Sequence, residues 1–349
     1  VSCPCALVVS VPLSFFGGIG GASRKGILIK GGNYMDALAH IDTVVLDKTG
    51  TLTQGTFAVE AIHPDELSEK ELLHLAAHVE HFSHHPIAVA LQGAYQHVGD
   101  GCTTNHVHEV VGKGIVADVN GHRVAVGNER MMEAEGATLH PCKRCEGHAG
   151  TVVHVAIDGR YAGHVVISDQ VKADASEALR ALRQLGVKQT VMLTGDKEAV
   201  ARQVAQQVGI DSYAAELLPA DKVDRVERLI EQQSQEKSAL AFVGDGINDA
   251  PVLARADVGI AMGAMGSDAA IDAADVVLMD DKPSKIAEAI RIARRTIANA
   301  RQNVIFAIVV KALVLLLASV GVATMGMAVF ADVGVMVLCV LNSMRTLRV

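Results

Sequence analysis

Three apolar runs in this chain, each about as long as one buried strand, end in polar turns that contain glycine. The turns are Asp-Lys-Thr-Gly-Thr-Leu-Thr after residues 43–46, Thr-Gly-Asp after residues 190–193, and Gly-Asp-Gly-Ile-Asn-Asp after residues 239–243. Open α/β sheets bind their ligands just beyond the carboxyl ends of the strands. We therefore predict an α/β fold with a parallel sheet and an acidic site at the ends of these strands.

Asp47 ends the first run and begins a tight glycine turn. A carboxylate in this position can accept a phosphoryl group and form a covalent aspartyl-phosphate. The residue two places on is Thr49, whereas a phosphatase of this type usually has an acid there to help water remove the phosphate. Because Thr49 cannot do this, we predict a long-lived phosphoenzyme, which favours an ion pump over a dehalogenase-like phosphatase.

A fourth motif, Pro-Ala-Asp-Lys at 219–222, precedes an amphipathic helical stretch. In this order the four motifs resemble those of the P-type ATPases, whose catalytic core is a haloacid dehalogenase-like Rossmannoid domain. The resemblance extends along nearly the whole chain. It implies that Asp47 accepts the γ-phosphate of ATP, that Thr49 and Thr194 hold it, and that Lys222 neutralises its charge.

The same resemblance implies a Mg²⁺ ion beside Asp47. Phosphoryl transfer relies mostly on positioning and on charge stabilisation, so a cation is expected at this carboxylate. The predicted magnesium region comprises Asp47, Thr49, Asp245 and Asp249. The motifs add four more residues to the predicted catalytic set, namely Lys48, Gly195, Asp196 and Asn248.

Two apolar stretches near the end of the chain, residues 304–320 and 322–341, each approach the ~20 residues that span a bilayer. Basic residues flank the apolar segments on one side: Arg24, Lys25, Lys30, Arg294, Arg295, Arg301, Arg345 and Arg348. By the positive-inside rule, we predict an integral protein of the plasma (inner) membrane with a cytoplasmic head. The net charge of −8 and the lack of basic runs with interleaved aromatics argue against nucleic-acid binding.

The first residue, Val1, lies inside an apolar stretch and is not Met. We expect a C-terminal fragment of a pump that works as a monomer at full length, and we do not expect the fragment to transport alone. The predicted order is a partial transmembrane helix, the first part of the phosphorylation domain, an inserted α+β nucleotide-binding domain, the rest of the phosphorylation domain, and two transmembrane helices. Their predicted ranges are 1–22, 30–56, 57–161, 162–300 and 301–349.

The insert resembles the nucleotide-binding domain of heavy-metal P-type ATPases. The resemblance implies that His85 stacks on adenine, that Glu80 and Asn128 lie near the base or ribose, and that glycines allow the nucleotide to approach the backbone. The full predicted set is Glu80, His85, Gly112, Gly114, Ile115, Gly127 and Asn128. The role of His84 stays open.

Cys3 and Cys5 bracket a proline in the first apolar segment, and two charged residues, Lys311 and Asp332, interrupt the last apolar stretches. Thiolates favour soft or borderline ions, and charges inside a membrane usually serve function and pair with one another. This pattern resembles the exporters of Zn²⁺, Cd²⁺ and Pb²⁺, with Lys311 as the counter-charge of Asp332. A Cu⁺ pump is the alternative, because two thiolates alone would satisfy Cu⁺.

Cys142 and Cys145 have the spacing of zinc ligands, with His140 and His148 nearby. The pattern is compatible with a solvent-exposed loop or with an accessory metal site. We interpret Cys102 and Cys339 as packing residues. A metal-binding structural module, the other rival class, would not need Asp47 or the turn at 244–249.

Overall fold

The computed structural model describes residues 5–83, 85–95, 101–140, 142, 150–233, 237–263 and 267–348, without the side chains of Cys5 and Ile247. These residues form two compact units. The discontinuous unit comprises Val1–Leu52 and Lys172–Val349, and the inserted unit comprises Thr53–Val171. The inserted unit begins before residue 57 and ends after residue 161, because its first and last strands pair with each other along much of their lengths.

A seven-stranded sheet forms the core of the discontinuous unit, in the order β1-β13-β12-β11-β2-β9-β10. Its strands are β1 (Ile27–Ile29), β2 (Ile41–Asp47), β9 (Gln189–Leu193), β10 (Ser212–Ala214), β11 (Ala239–Gly244), β12 (Val258–Met262) and β13 (Val276–Leu278). All neighbouring pairs are parallel except β1 with β13. Every residue of β11 and β12 is buried, as expected for central strands that are covered on both faces. The three predicted strand-and-turn segments thus belong to one sheet, in which β2 lies between β11 and β9.

Helices cover this sheet: α2 (Gly32–Ala39), α6 (Ala175–Gln184), α7 (Glu198–Val208), α8 (Pro219–Glu231), α9 (Ala250–Arg255) and α10 (Asp268–Ala273). The start of α8 fixes the position of an important lysine. Pro219 occupies the first helical turn, where a missing backbone N–H costs nothing. The Asp221 carboxylate accepts a 2.9 Å hydrogen bond from the backbone N–H of Leu218. Lys222, the next residue, is buried.

Among the residues that the structure describes, three helical segments are long and apolar enough to cross a membrane: Ala6–Ser23, Ser284–Ser319 and Met325–Arg348. The first belongs to α1 (Cys5–Ser23) and the second is α11 (Ser284–Ser319). The third comprises α12 (Met325–Val329), a π-helical turn at Phe330–Gly334, α13 (Val335–Ser343) and a final 3-10 turn. α11 begins 20 residues earlier than the predicted span at 304–320, because its first half packs against the sheet domain.

A buried polar cluster joins α1, α11 and α13. Ser14 Oγ donates to Asn299 Oδ1 over 3.0 Å, and Asn303 Nδ2 donates to Ser343 Oγ over 2.9 Å. This cluster was not predicted, although an asparagine pair at i and i+4 in an apolar helix is a signal for it. Cys339 packs here with 1% exposure, as predicted for a packing cysteine.

The inserted unit is a six-stranded antiparallel sheet in the order β3-β8-β7-β6-β5-β4. Its strands are β3 (Thr53–Pro64), β4 (Thr104–Val110), β5 (Gly114–Val119), β6 (His122–Gly127), β7 (Thr151–Ile157) and β8 (Arg160–Val171). Two helices, α3 (Glu69–Glu80) and α4 (Pro86–Ala94), pack against one sheet face over an aliphatic core. The short helix α5 (Glu129–Ala134) packs through its methionines on other sheet residues. An α+β arrangement was predicted, and the structure has it.

Candidate active site

Asp47 is the last residue of β2, and its buried carboxylate contacts a lysine from α8. Lys222 Nζ donates hydrogen bonds to Asp47 Oδ1 over 2.6 Å and to Asp249 Oδ1 over 2.9 Å. Asp249 ends the 3-10 turn that follows β11, the strand next to β2. The parallel sheet therefore brings together three residues that lie far apart in the sequence.

Asp245 completes a triangle of carboxylates with Asp47 and Asp249, in which one oxygen of each lies within 4.8 Å of the others. Gly50 is necessary for this geometry. Its φ is +71°, and a Cβ there would collide with the Asp245 carboxylate. Carboxylate oxygens are the ligands that Mg²⁺ prefers, so this donor set fits a magnesium ion.

The electrostatics of the triangle also fit a cation. Burial, together with the charge of Asp249, raises the pKa of Asp47 to about 7 despite the opposing effect of Lys222. Burial and Asp249 likewise raise the pKa of Asp245 to about 6. For Lys222, burial lowers the pKa, but Asp47 and Asp249 outweigh it and the pKa is raised. One lysine therefore compensates only part of the negative charge of three carboxylates.

The other predicted catalytic residues lie in the turns that follow β2, β9 and β11, and they differ in burial. Thr194, at the end of β9, is buried, and its Oγ1 accepts a 3.1 Å hydrogen bond from the backbone N–H of Asp196. Lys48 is buried and forms a 2.5 Å ion pair with Asp196. The remaining three, Thr49, Gly195 and Asn248, are exposed.

Lys172, the first residue of the discontinuous unit after the insert, is a site residue that was not predicted. Its Nζ donates to the backbone carbonyls of Gly50, over 2.5 Å, and Asp281, over 2.9 Å. It also lowers the pKa of Asp245, against the larger raising effect of burial. Lys172 directly follows β8, a strand of the antiparallel sheet, so the strand-end rule for parallel sheets that identified Asp47 gave no signal for it.

All seven residues predicted to bind nucleotide line one cavity of about 360 Å³ in the inserted unit. They are Glu80, His85, Gly112, Gly114, Ile115, Gly127 and Asn128. Ser83, Glu109 and Lys113 also line the cavity, and none of them was predicted. Its size is that of a small-molecule site.

Glu80 and His85 lie at the facing ends of α3 and α4. Glu80 is 6% exposed, and burial together with the charge of Glu109 raises its pKa to about 7. His85 caps α4, and its Nδ1 accepts a 3.3 Å hydrogen bond from the backbone N–H of Ile87. Its ring is otherwise exposed and can stack on a planar ligand.

Asn128 and the glycines have structural roles beside any contact with a ligand. Asn128 Nδ2 donates to the Gly112 carbonyl over 2.9 Å, and its Oδ1 caps α5 by accepting from Met131 N–H over 3.3 Å. A Cβ on Gly114 would lie 2.6 Å from the Gly127 Cα. The paired strands β5 and β6 therefore approach too closely for side chains at these two positions.

Lys311 of α11 and Asp332 of the π-helical turn form an ion pair with Nζ and Oδ1 3.7 Å apart. Both line a small cavity of about 40 Å³, to which Ala6 and Leu7 of α1 also contribute. Gly334, two residues after Asp332, leaves room for the Phe330 ring, because a Cβ at Gly334 would lie 2.6 Å from a carbon of that ring.

The first described helix, α1, begins at Cys5. The predicted ligand atoms of Cys3 and Cys5 lie outside the described part of the chain.

The chain matches the family model of the haloacid dehalogenase-like hydrolases over residues 41–257. It is 53% identical over 347 residues to a zinc-transporting ATPase of Synechocystis, covering 99% of this chain and 47% of that protein. It is 52% identical over 349 residues to a cadmium, zinc and cobalt-transporting ATPase of Bacillus subtilis, covering 100% of this chain and 49% of that protein. The chain thus spans about half the length of the curated relatives it matches.

The structure is similar to the crystal structure of a zinc-transporting PIB-type ATPase in its E2.Pi state. The TM-score is 0.89 at 39% identity, covering 99% of this chain and 56% of that one. The predicted resemblance to zinc- and cadmium-transporting ATPases and the predicted fold class are thereby confirmed. Along its whole length the chain is similar to metal-transporting ATPases. With its aspartate triangle at the ends of parallel strands and its family-model match over residues 41–257, this chain belongs to the haloacid dehalogenase-like hydrolases.

Proposed function

We propose that this chain provides the ATP-hydrolysing head and part of the membrane domain of an ATP-driven metal export pump. The observation that carries the proposal is the presence, in one unit, of the buried Asp47 site and the Lys311–Asp332 pair. A charged pair between apolar helices is costly and usually serves function. The names of relatives at 52–53% identity support Zn²⁺, Cd²⁺ or Co²⁺ as cargo, and the thiolates also suit Pb²⁺.

In the proposed reaction, Asp47 attacks the γ-phosphorus of ATP bound in the inserted unit. A bond forms between an Asp47 carboxylate oxygen and phosphorus, and the bond from phosphorus to the β-phosphate oxygen breaks to release ADP. Bound Mg²⁺, held by Asp47, Asp245 and Asp249, would offset the charge of the phosphoryl oxygens. Lys222 holds the Asp47 carboxylate before transfer and neutralises the phosphoryl group after it, with Thr49 and Thr194 as donors to it.

The aspartyl-phosphate persists because Thr49 cannot act as the acid or base for its hydrolysis. Its formation and loss then drive the passage of an ion held by Cys3, Cys5 and Asp332, with Lys311 as the counter-charge when the site is empty. Basic flanks of the membrane helices support a cytoplasmic head in the plasma membrane. A carboxylate among the ligands and the names of the relatives disfavour a copper pump.

The test is phosphoenzyme formation by the pump in membranes, with radiolabelled ATP and Zn²⁺ or Cd²⁺. We expect a hydroxylamine-sensitive label that is absent in Asp47→Asn and that Zn²⁺ stimulates. Asp332→Ala should lose the stimulation by Zn²⁺ but keep nucleotide binding. Undiminished labelling of Asp47→Asn, or stimulation by Cu⁺ alone that Asp332→Ala leaves intact, would contradict the proposal.

A further inference from the structure

Three histidines lie side by side on adjacent strands of the inserted unit. His63 of β3 is the register partner of His164 of β8, and His164 is the register partner of His154 of β7. Directly paired residues of antiparallel strands point to the same face of a sheet. The ring centroids of His63 and His164 are 5.1 Å apart, and those of His154 and His164 are 5.8 Å apart.

A cysteine joins this row. One ligand atom each of His63, His164 and Cys142 lie within 4.8 Å of one another. The side chain of His164 is 4% exposed, and both ring nitrogens of His63 are shielded from solvent. The Cys142 thiol is partly exposed and is not in a disulfide.

Tyr161 orients the buried histidine. Its hydroxyl lies 2.8 Å from His164 Nδ1 and 3.0 Å from His154 Nδ1. When His164 Nδ1–H donates to the Tyr161 oxygen, the hydroxyl donates to His154 Nδ1, and the lone pair of His164 is on Nε2. A hydrogen bond to one ring nitrogen is the usual way in which proteins fix the tautomer of a metal-binding histidine.

We propose that His63, His164 and Cys142, here called the strand site, bind one borderline divalent metal ion such as Zn²⁺, Cd²⁺ or Co²⁺. Two imidazoles and a thiolate are the ligands that these ions prefer. In a tetrahedral zinc site the ligand atoms lie roughly 3.5 Å apart, so the strand site needs only small side-chain rotations to close. The strand site lies in the inserted unit, apart from the candidate membrane spans in sequence, and does not depend on the proposed transport function.

A second group in the same unit could compete for metal and has to be separated from the strand site. His74, His78 and Cys102, here called the helix cluster, also lie within 4.8 Å of one another. Its thiol already contacts His74 Nε2 at 3.2 Å and Asn120 Nδ2 at 3.1 Å. The helix cluster therefore serves as the control.

The test uses the full chain in detergent, with Cys3→Ser, Cys5→Ser and Asp332→Ala introduced to remove the membrane ligands. Co²⁺ is titrated without nucleotide, and the sulfur-to-cobalt charge-transfer absorption is followed in the near ultraviolet. We expect one equivalent of Co²⁺ to produce this band and one equivalent of Zn²⁺ to displace it. Cys142→Ser and His164→Gln should each abolish the band, whereas Cys102→Ser and His74→Gln should leave it intact.

If His164→Gln fails to fold, Cys142→Ser and Cys145→Ser together keep the test decisive. A site built on the Cys142–Cys145 spacing would lose the band in both variants, whereas the strand site would lose it only in Cys142→Ser. As an independent measurement, Zn²⁺ should raise the unfolding temperature of the membrane-ligand variant by more than it raises that of the same chain with Cys142→Ser, and equal shifts in the two would contradict the proposal. No cobalt–thiolate band, a band that survives Cys142→Ser, or a band lost only with Cys102→Ser would overturn the proposal.

Discussion

Lys222 Nζ lies 2.6 Å from Asp47 Oδ1, and both side chains are almost fully buried. The carboxylate that we propose as the nucleophile is therefore held by a cation that α8 supplies 175 residues later in the chain. Removing one member of a buried ion pair leaves the other without compensation and is strongly destabilising.

We predict that Lys222→Met lowers the free energy of unfolding by about 3–5 kcal/mol at pH 8 without Mg²⁺. The loss should shrink as the pH falls below 7, since Asp47 then becomes protonated. Denaturant unfolding at pH 8 and pH 5.5 measures both effects. Lys188→Met is the matched control, because Lys188 pairs with Asp42 at the surface, where such a pair contributes about 0–1 kcal/mol. Equal losses in the two variants would contradict the prediction.

Gly50→Ala should raise the Mg²⁺ concentration needed for phosphoenzyme formation at least about tenfold, equivalent to about 1.4 kcal/mol. The added methyl group collides with the Asp245 carboxylate and displaces it. Gly209→Ala is the control, since Gly209 also has a positive φ, +76°, but nothing lies within 4 Å of its Cβ position. It should lose about 1 kcal/mol of stability and keep its Mg²⁺ dependence. A normal Mg²⁺ dependence in Gly50→Ala would show that this glycine does not position Asp245.

Glu80→Gln should stabilise the nucleotide-free chain at pH 8 and have no stabilising effect at pH 4. The pKa of Glu80 is raised to about 7 in the folded state, so the folded state binds more protons than the unfolded state between pH 4.5 and 7. Stability therefore falls with rising pH over this window and is flat above it. The gain at pH 8 is at most about 3 kcal/mol. A gain that does not change between pH 4 and pH 8 would rule out this titration.

His85→Gln should weaken ATP binding by roughly fivefold, the equivalent of about 1 kcal/mol for one lost stacking contact. The His85 ring is the exposed aromatic surface at the start of α4 that faces the cavity. Calorimetry of ATP binding measures the change. His106→Gln, an exposed histidine of β4 that does not line this cavity, should bind ATP normally. Unchanged affinity in a folded His85→Gln variant would reject stacking on adenine.

The sequence predicted the sheet, the acidic turns and the insert, because strand-end turns and apolar runs are local signals. It also indicated the seven cavity residues, but not the reason for each. Gly114 and Gly127 were expected to be glycines because a side chain would keep the nucleotide away from the backbone. The structure shows that the strands β5 and β6 themselves leave no room for side chains there, and strand pairing is not visible in a single motif.

Long-range pairing also explains what the sequence did not reveal. Asn299 and Asn303 contact Ser14 and Ser343 across three helices, and no local pattern specifies these partners. Cys102 was interpreted as packing, whereas its thiol contacts His74. Cys142 was noted for its spacing to Cys145, which lies outside the described residues together with His148. The structure places the Cys142 sulfur within 4.8 Å of ring nitrogens of His63 in β3 and His164 in β8, a proximity that no local spacing indicates.

The helix α11 runs through 36 residues without a glycine or proline, a length of about 54 Å. Near its start, Ile286 and Ile290 are buried in the sheet domain, and Arg294 donates to the backbone carbonyls of Ala39 and Leu185. Lys311 lies farther along the same helix. No glycine or proline interrupts the helix between Arg294 and Lys311, so a tilt or rotation of its first half would also move Lys311 and its ion pair with Asp332. One uninterrupted helix therefore connects the sheet domain to the ion pair between Lys311 and Asp332.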